Sequence, residues 1–365
     1  MMKKNKIFIK IICSIFLFFL GALGMYLLVY FYPAKFISST TTTKLVKDVN
    51  IIDTGLSEAV DKIYDAVVVV ETYKNDTLSA SGTGFVYKNE DDKGYILTNN
   101  HVISGGTKIC VIFTNGKRIE ADVLGSDSYA DIAVLGIDSF DDMQVASLGS
   151  SEDAKVGDTV FAVGAPLDSA YSWTVTRGIL SGKDRLIEVS SSQTSSSTAD
   201  WVMSAIQTDA AINSGNSGGP LANANGEVIG ITSLKLVKSG VEGMGFAIPI
   251  EAALQYAEKI EKNEEITRPY LGVSMYNVNE ISTRYYNTDV VSDGVYVSAV
   301  EKGSPADKAG LKAGDIIVEL NKTKIESVAY LKYNLFKYNA NDKISLGIYR
   351  DDKKMTIEVT LGKSN

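Results

Sequence analysis

Hydrophobic and polar positions change period several times along this chain, and each change marks an element. Residues 11–32 contain no charged side chain, and about 20 apolar residues are enough for a helix to cross a hydrocarbon core. Lys3, Lys4, Lys6 and Lys10 crowd the N-terminal side of that run. The positive-inside rule therefore predicts a cytoplasmic tail over residues 1–10 and an extracytoplasmic position for everything after Pro33. The run ends in Tyr30-Phe31-Tyr32-Pro33 instead of a small-x-small site, which argues for an uncleaved transmembrane anchor, with a cleaved signal sequence as the alternative. Residues 33–56 are mostly polar and include Ser38-Ser39-Thr40-Thr41-Thr42-Thr43; such a composition predicts a stalk without a packed core.

From residue 57 the apolar runs become short and β-branched. They fall at 66–72, 82–87, 94–98, 108–113, 123–124, 132–137, 159–163, 174–180, 228–233 and 245–248, separated by Gly and Asn/Asp turns. Many short strands without a βαβ rhythm predict a mainly β sandwich or barrel. Residues 190–198 are nearly all Ser and Thr and read as a loop. From Ile250 the period becomes helical, with Ile250, Ala253, Leu254, Ala257 and Ile260 on one face and charged residues 261–265 after them, which places a domain boundary there. Beyond Arg268-Pro269, strand-like runs at 271–275, 294–300, 316–320, 344–349 and 355–361 surround helical signals at 304–309 and 327–336. They predict an α+β unit long enough to fold alone.

Composition narrows the chemistry. With 36 basic and 44 acidic residues the net charge is −8, which argues against a nucleic-acid partner. Cys13 lies in the apolar N-terminal run and Cys110 in a strand-like one, so a disulfide framework is not expected. One histidine, two dispersed cysteines and no P-loop leave no ordinary zinc or nucleotide site, and no metal or cofactor is expected.

That one histidine, His101, follows the strand-like Gly94-Tyr95-Ile96-Leu97-Thr98, at the kind of strand end where a reactive side chain is held rigidly. Asp131 opens the apolar run Ile132-Ala133-Val134-Leu135 and would be buried, so it needs a partner; Asp127, in the preceding polar turn, is its rival. Ser217 sits in Gly215-Asn216-Ser217-Gly218-Gly219, where glycines permit the tight turn that aims the N–H groups of Gly215 and Ser217 at an oxyanion. The pattern also fits the α/β-hydrolase elbow, but that fold requires a histidine after the serine, and none follows Ser217. The order His101, Asp131, Ser217 is that of the chymotrypsin-like double β-barrel.

Thr98-Asn99-Asn100-His101-Val102, Asp131-Ile132-Ala133-Val134-Leu135, Gln207-Thr208-Asp209-Ala210-Ala211-Ile212-Asn213, Gly215-Asn216-Ser217-Gly218-Gly219-Pro220-Leu221 and Gly245-Phe246-Ala247-Ile248-Pro249 together resemble the HtrA/DegP family of trypsin-like serine proteases. Tyr270-Leu271-Gly272-Val273 and the run from Gly303 to Ile317 resemble the PDZ domain such proteases carry. The resemblance implies a protease domain over 57–258, a linker over 259–268 and a PDZ domain over 269–363. It implies Ser217 as nucleophile, His101 as base, Asp131 as its orienting carboxylate, and an oxyanion hole at Gly215, Asn216 and Ser217. Residues 183–205 occupy the place of a sensor loop, and Leu234 and Met244 are apolar candidates for the S1 pocket, favouring small or medium apolar P1 residues. Tyr270, Leu271, Gly272 and Val273 would receive a peptide C-terminal carboxylate.

The expected function is ATP-independent cleavage of unfolded or mislocalised extracytoplasmic proteins by a membrane-anchored enzyme, trimeric by analogy with the family. A non-proteolytic PDZ-based binder or chaperone of unfolded chains is the alternative. One departure from the family pattern is visible: Ser214 stands where many relatives have proline, and serine lacks proline's fixed φ.

Overall fold

The computed structural model describes residues 2–31, 54–164, 173–189, 201–233, 243–280 and 291–364. The stalk, the Ser/Thr-rich run 190–198 and Leu234 lie outside the described residues, apart from the stalk's last positions. The chain divides into two units, Met1–Ile52 and Asp53–Asn365. In the first, a helix runs over Met2–Phe31, and its segment Lys10–Phe31, with mean hydropathy 2.5, is long and apolar enough to span a membrane.

The second unit is built on strands. β1 (Val67–Lys74), β2 (Thr77–Glu90), β3 (Lys93–Thr98), β4 (Lys108–Ile112), β5 (Arg118–Asp127) and β6 (Ile132–Asp138) close into a barrel in the order β1-β2-β3-β6-β5-β4. β7 (Thr159–Gly164), β8 (Thr174–Val189), β9 (Trp201–Thr208), β10 (Pro220–Asn223), β11 (Val228–Thr232) and β12 (Gly245–Pro249) close a second, in the order β10-β11-β12-β9-β8-β7. The fold is therefore mainly β, a chymotrypsin-like pair of barrels.

Several strands are apolar at consecutive positions because they serve two cores. Along β6, Ala133, Leu135 and Ile137 fill the first barrel, while Ile132 and Val134 face the core between the barrels. β7 does the same, with Val160 and Ala162 inside the second barrel and Phe161 and Val163 in the shared core. Alternate side chains point to opposite faces of a strand, so burial on both faces hides the usual alternation of apolar and polar residues. The helix Ile250–Glu261 buries Ile250, Ala253, Ala257 and Ile260 in the same shared core. Its last turn extends past residue 258, through the first positions of the expected linker.

The C-terminal part has its own core. β14 (Val273–Asn277), β15 (Val295–Val300), β16 (Ile316–Leu320), β18 (Lys343–Arg350) and β19 (Lys353–Thr360) form an antiparallel sheet in that order, with β17 (Thr323–Lys324) beside β16. β13 (Arg268–Tyr270) pairs with β20 (Gly362–Ser364). The short helix Pro305–Ala309 starts where Ser304 Oγ accepts the Asp307 N–H and stops at Gly310, φ 84°. Ser327 caps the helix Val328–Leu335 in the same way, accepting from the Tyr330 N–H. Both are side-chain caps that satisfy otherwise orphaned N–H groups. This is the α+β PDZ arrangement, and it leaves β14 at the edge of its sheet.

The PDZ part packs on the protease part through several side chains, among them Phe336 against the Tyr129 ring, Lys332 over the same ring, and Arg268. Arg268 donates to both carboxylate oxygens of Asp127 at 2.6 and 2.7 Å, and its guanidinium lies 4.5 Å from the Tyr129 ring centre and 5.2 Å from that of Phe336. Burial, and then the nearby Asp127 charge, raise the pKa of Tyr256 above its ordinary value.

Candidate active site

β3 ends at Thr98, Asn99 stands at the N-cap position of a single helical turn over Asn100–Ile103 without a side-chain capping bond, and that turn carries His101. Val102 and Ile103 anchor the turn in the first-barrel core, leaving the His101 side chain 31% exposed. Asp131 immediately precedes β6 with φ +56°, a left-handed conformation that Asp tolerates better than most side chains. Two side chains hold it there. Asp127 Oδ1 accepts the Tyr129 and Ala130 N–H groups at 3.0 and 2.7 Å, and Asn99 Nδ2 donates to the Asp131 carbonyl at 2.9 Å.

The Asp131 carboxylate is fully buried and surrounded by donors. His101 Nδ1 lies 2.8 Å from Oδ2 and 3.0 Å from Oδ1, the His101 backbone N–H donates to Oδ1 at 3.0 Å, and Ser233 Oγ donates to Oδ2 at 2.9 Å. Such a set offsets the cost of desolvating a carboxylate. Asp127 is not in an exposed polar turn: it is also buried, and its charge is committed to Arg268.

Ser217 lies at 4% exposure on a loop folded by its own backbone. Asn216 N–H donates to Asn213 O at 3.1 Å, Gly219 N–H to Asn216 O at 2.9 Å, and Gly218 N–H to Thr232 O at 2.9 Å. Gly215 has φ 102° and Gly218 φ 86°, values that favour glycine. Of the expected oxyanion trio, the Asn216 N–H is used within the loop, donating to Asn213 O. The two halves of the site meet at Gly82, where a Cβ would stand 2.7 Å from Val102 Cγ2 and 3.1 Å from the Ser217 carbonyl oxygen.

Of the S1 candidates, Leu234 lies outside the described residues and Met244 is 40% exposed. Ile212 is the apolar side chain packed beside the loop: a Cβ on Gly245 would stand 2.6 Å from it. Ser233, Asn99 and Ile212 were not singled out by the sequence. Asn99 and Ile212 lie within recognised motifs and Ser233 ends the strand-like run 228–233, but nothing in their residue types marks a contact to a partner many positions away.

In the PDZ part, Tyr270 ends β13, Leu271 is buried, Gly272 has φ +82° and Val273 opens β14. The Leu271 and Gly272 carbonyls are tied to one side, accepting from the Ala306 and Glu301 N–H groups at 2.9 Å each. Tyr270 Oη is hydrogen-bonded to Glu301, which raises the Tyr270 pKa. This loop opens into a cavity of about 400 Å³ bounded by Val273, Met275, Lys332 and Leu335, with Tyr129 of the protease part as one wall.

Two barrels with a buried aspartate paired to a part-exposed histidine and a glycine-flanked serine, followed by a PDZ domain, define a trypsin-like serine endopeptidase with a peptide-binding module. Residues 82–231 match the family model of the trypsin-like peptidase domain and 269–361 that of the PDZ domain. Serine protease Do-like HtrB of Bacillus subtilis is 39% identical over 341 residues, covering 88% of this chain and 73% of that protein. Serine protease Do-like HtrA of Lactococcus lactis subsp. cremoris is 37% identical over 360 residues, covering 90% and 87%. The solved serine endoprotease from Yersinia pestis superposes with TM-score 0.63 at 31% identity, over 85% of this chain and 98% of that one. The HtrA-type protease AlgW with a tripeptide gives 0.63 at 32%, over 85% and 97%. The chain belongs to the HtrA family of serine proteases.

Proposed function

We propose that this protein is an ATP-independent endopeptidase that cuts unfolded or mislocalised extracytoplasmic proteins with Ser217, His101 and Asp131, anchored by its N-terminal helix. The observation that carries the reading is the grip of a buried carboxylate, Asp131, on Nδ1 of the chain's one histidine. Asp131 accepts the Nδ1–H, which fixes the tautomer that leaves the Nε2 lone pair free. His101 then takes the Ser217 Oγ proton as Oγ adds to the scissile carbonyl, and returns it to the leaving amine. The Gly215 and Ser217 N–H groups stabilise the tetrahedral oxyanion. Ile212 beside Gly245, with Met244 at the rim, supports a preference for small or medium apolar P1 side chains.

A peptide C-terminus enters the PDZ cavity as an added strand on the edge of β14, its carboxylate on the Leu271-Gly272 loop. AlgW has been solved with a tripeptide and with a decapeptide, which supports a peptide ligand here. Regulation through this site is supported by Tyr129, which walls the cavity and stands two residues before Asp131. Assembly as a homotrimer rests on family resemblance alone.

The test is degradation of a permanently unfolded protein by the detergent-solubilised full chain and by Ser217→Ala. Cleavage that disappears in the variant supports the reading. Equal cleavage by both refutes it, and binding without cleavage by either would leave a chaperone.

A further inference from the structure

The loop that carries Ser217 is held by a residue from the other barrel. Thr83, on β2 and fully buried, donates its N–H to the Ser217 carbonyl at 2.8 Å and its hydroxyl to the Gly215 carbonyl at 2.6 Å. The second bond matters because of what lies between those carbonyls. The Gly215–Asn216 peptide plane separates the N–H groups of Gly215 and Ser217. Its C=O end is fixed by Thr83 Oγ1, and its N–H end by Asn213 O at 3.1 Å.

Local sterics do not hold that plane. Gly215 adopts φ 102°, where glycine has wide freedom, and Ser214 lacks the fixed φ that proline would impose. Hydrogen bonds must therefore set the orientation, and one of the two comes from outside the loop. Thr83 is itself tied to the strand that leads to His101, since Thr98 Oγ1 donates to the Thr83 carbonyl at 2.7 Å. Gly218 closes the same junction: a Cβ there would stand 2.1 Å from Thr83 O and 2.3 Å from Thr98 Oγ1.

We propose that Thr83 is a positioning residue for the oxyanion loop. Its hydroxyl locks the Gly215–Asn216 peptide so that the two flanking N–H groups converge on one point, and it sets that point relative to the strand that leads to His101. The proposal rests on the reading of Ser217 as nucleophile and of the Gly215 and Ser217 N–H groups as oxyanion donors.

The variants are Thr83→Val, which keeps shape and the backbone N–H but removes the hydroxyl, and Thr83→Ser, which restores it. Each is measured in the full chain for kcat and KM on an internally quenched peptide, for inhibition by a peptide boronic acid that forms a tetrahedral adduct, and for its unfolding midpoint. Thr83→Val should lower kcat by about 10- to 100-fold and weaken the boronate by a similar factor, while KM changes by less than about threefold. Thr83→Ser should recover most of both losses. A purely structural role would lower the unfolding midpoint without separating kcat and boronate affinity from KM. Thr83→Ala carries the same comparison where valine is not accommodated. Hydroxyl-free variants with kcat and boronate affinity within about twofold of wild type, alongside an inactive Ser217→Ala, would overturn the proposal alone. Undiminished cleavage by Ser217→Ala would overturn the reading beneath it.

Discussion

Arg268, the first residue of β13, donates to both oxygens of Asp127 at 2.6 and 2.7 Å, and the same carboxylate caps the turn that delivers Asp131 four residues later. The two aspartates thus have separate tasks on one short segment. Asp127 is a structural charge joining two parts of the chain, and Asp131 faces the imidazole. Both are buried, so burial alone does not distinguish them; their partners do.

Asp131→Asn should therefore damage turnover, and Asp127→Asn should damage the fold. An asparagine at 131 would present the wrong hydrogen-bonding group to Nδ1 and lower kcat by about 10⁴-fold. An asparagine at 127 leaves Arg268, whose side chain is 17% exposed, without its counter-charge, at a cost of about 3 kcal/mol in stability. Steady-state kinetics and denaturant titration on both variants separate the outcomes. A larger kcat loss in Asp127→Asn would reverse the carboxylate assignment.

The barrels were legible where strands showed β-branched runs bounded by turns, and unreadable where burial on both faces removed the alternation. β9 is the clearest case. Trp201–Thr208 is buried at nearly every position, and it directly follows a Ser/Thr-rich run that reads as loop, so no period marked it. The helix Thr54–Tyr64 was missed for another reason: Leu56, Ala59, Val60, Ile63 and Tyr64 recur at helical spacing and pack against the shared core, but the segment opens inside the polar stretch read as a stalk to residue 56. β2 and β8 extend beyond their apolar segments because their outer ends are exposed hairpin arms. The positions of His101, Asp131 and Ser217 were carried by local motifs, whereas Ser233 meets Asp131 across 102 residues, a relation that only the packing of the second barrel on the first creates.

Gly218→Ala should be among the most destabilising single-methyl additions in the chain. Its Cβ would meet backbone and a buried hydroxyl, neither of which can swing away, and φ 86° adds strain. The expected loss exceeds about 4 kcal/mol. Gly55→Ala is the control: it lies in the helix Thr54–Tyr64 with open space around the new methyl, and should be neutral or stabilising by up to about 1 kcal/mol. Unfolding midpoints that rank the two variants the other way would mean the barrel junction is looser than its geometry implies.

Gly272→Ala should silence the PDZ site without touching chemistry. A Cβ there would stand 2.2 Å from Ser304 Cβ, at φ +82°, so the Leu271-Gly272 loop must shift. The affinity for a fluorescent peptide with a free C-terminal carboxylate should fall at least about tenfold, while hydrolysis of a short chromogenic peptide in the absence of that ligand persists. The carboxylate loop is wrongly placed if anisotropy titration finds the peptide bound as tightly as before.

The single imidazole gives the site a test that most proteases do not allow. If His101 is the base, it must be neutral to accept the Ser217 proton, so kcat/KM should fall as pH falls, by tenfold per pH unit once His101 is protonated, with the slope of one proton. In the inactive Ser217→Ala protein the chain's one histidine is the single imidazole that NMR observes. Because Asp131 accepts from Nδ1, the neutral form should carry its proton there, which the 15N shifts of the two ring nitrogens report directly. An acid limb of slope two or a neutral form protonated on Nε2 would each show that another group controls the rate, and the assignment of His101 would fall with it.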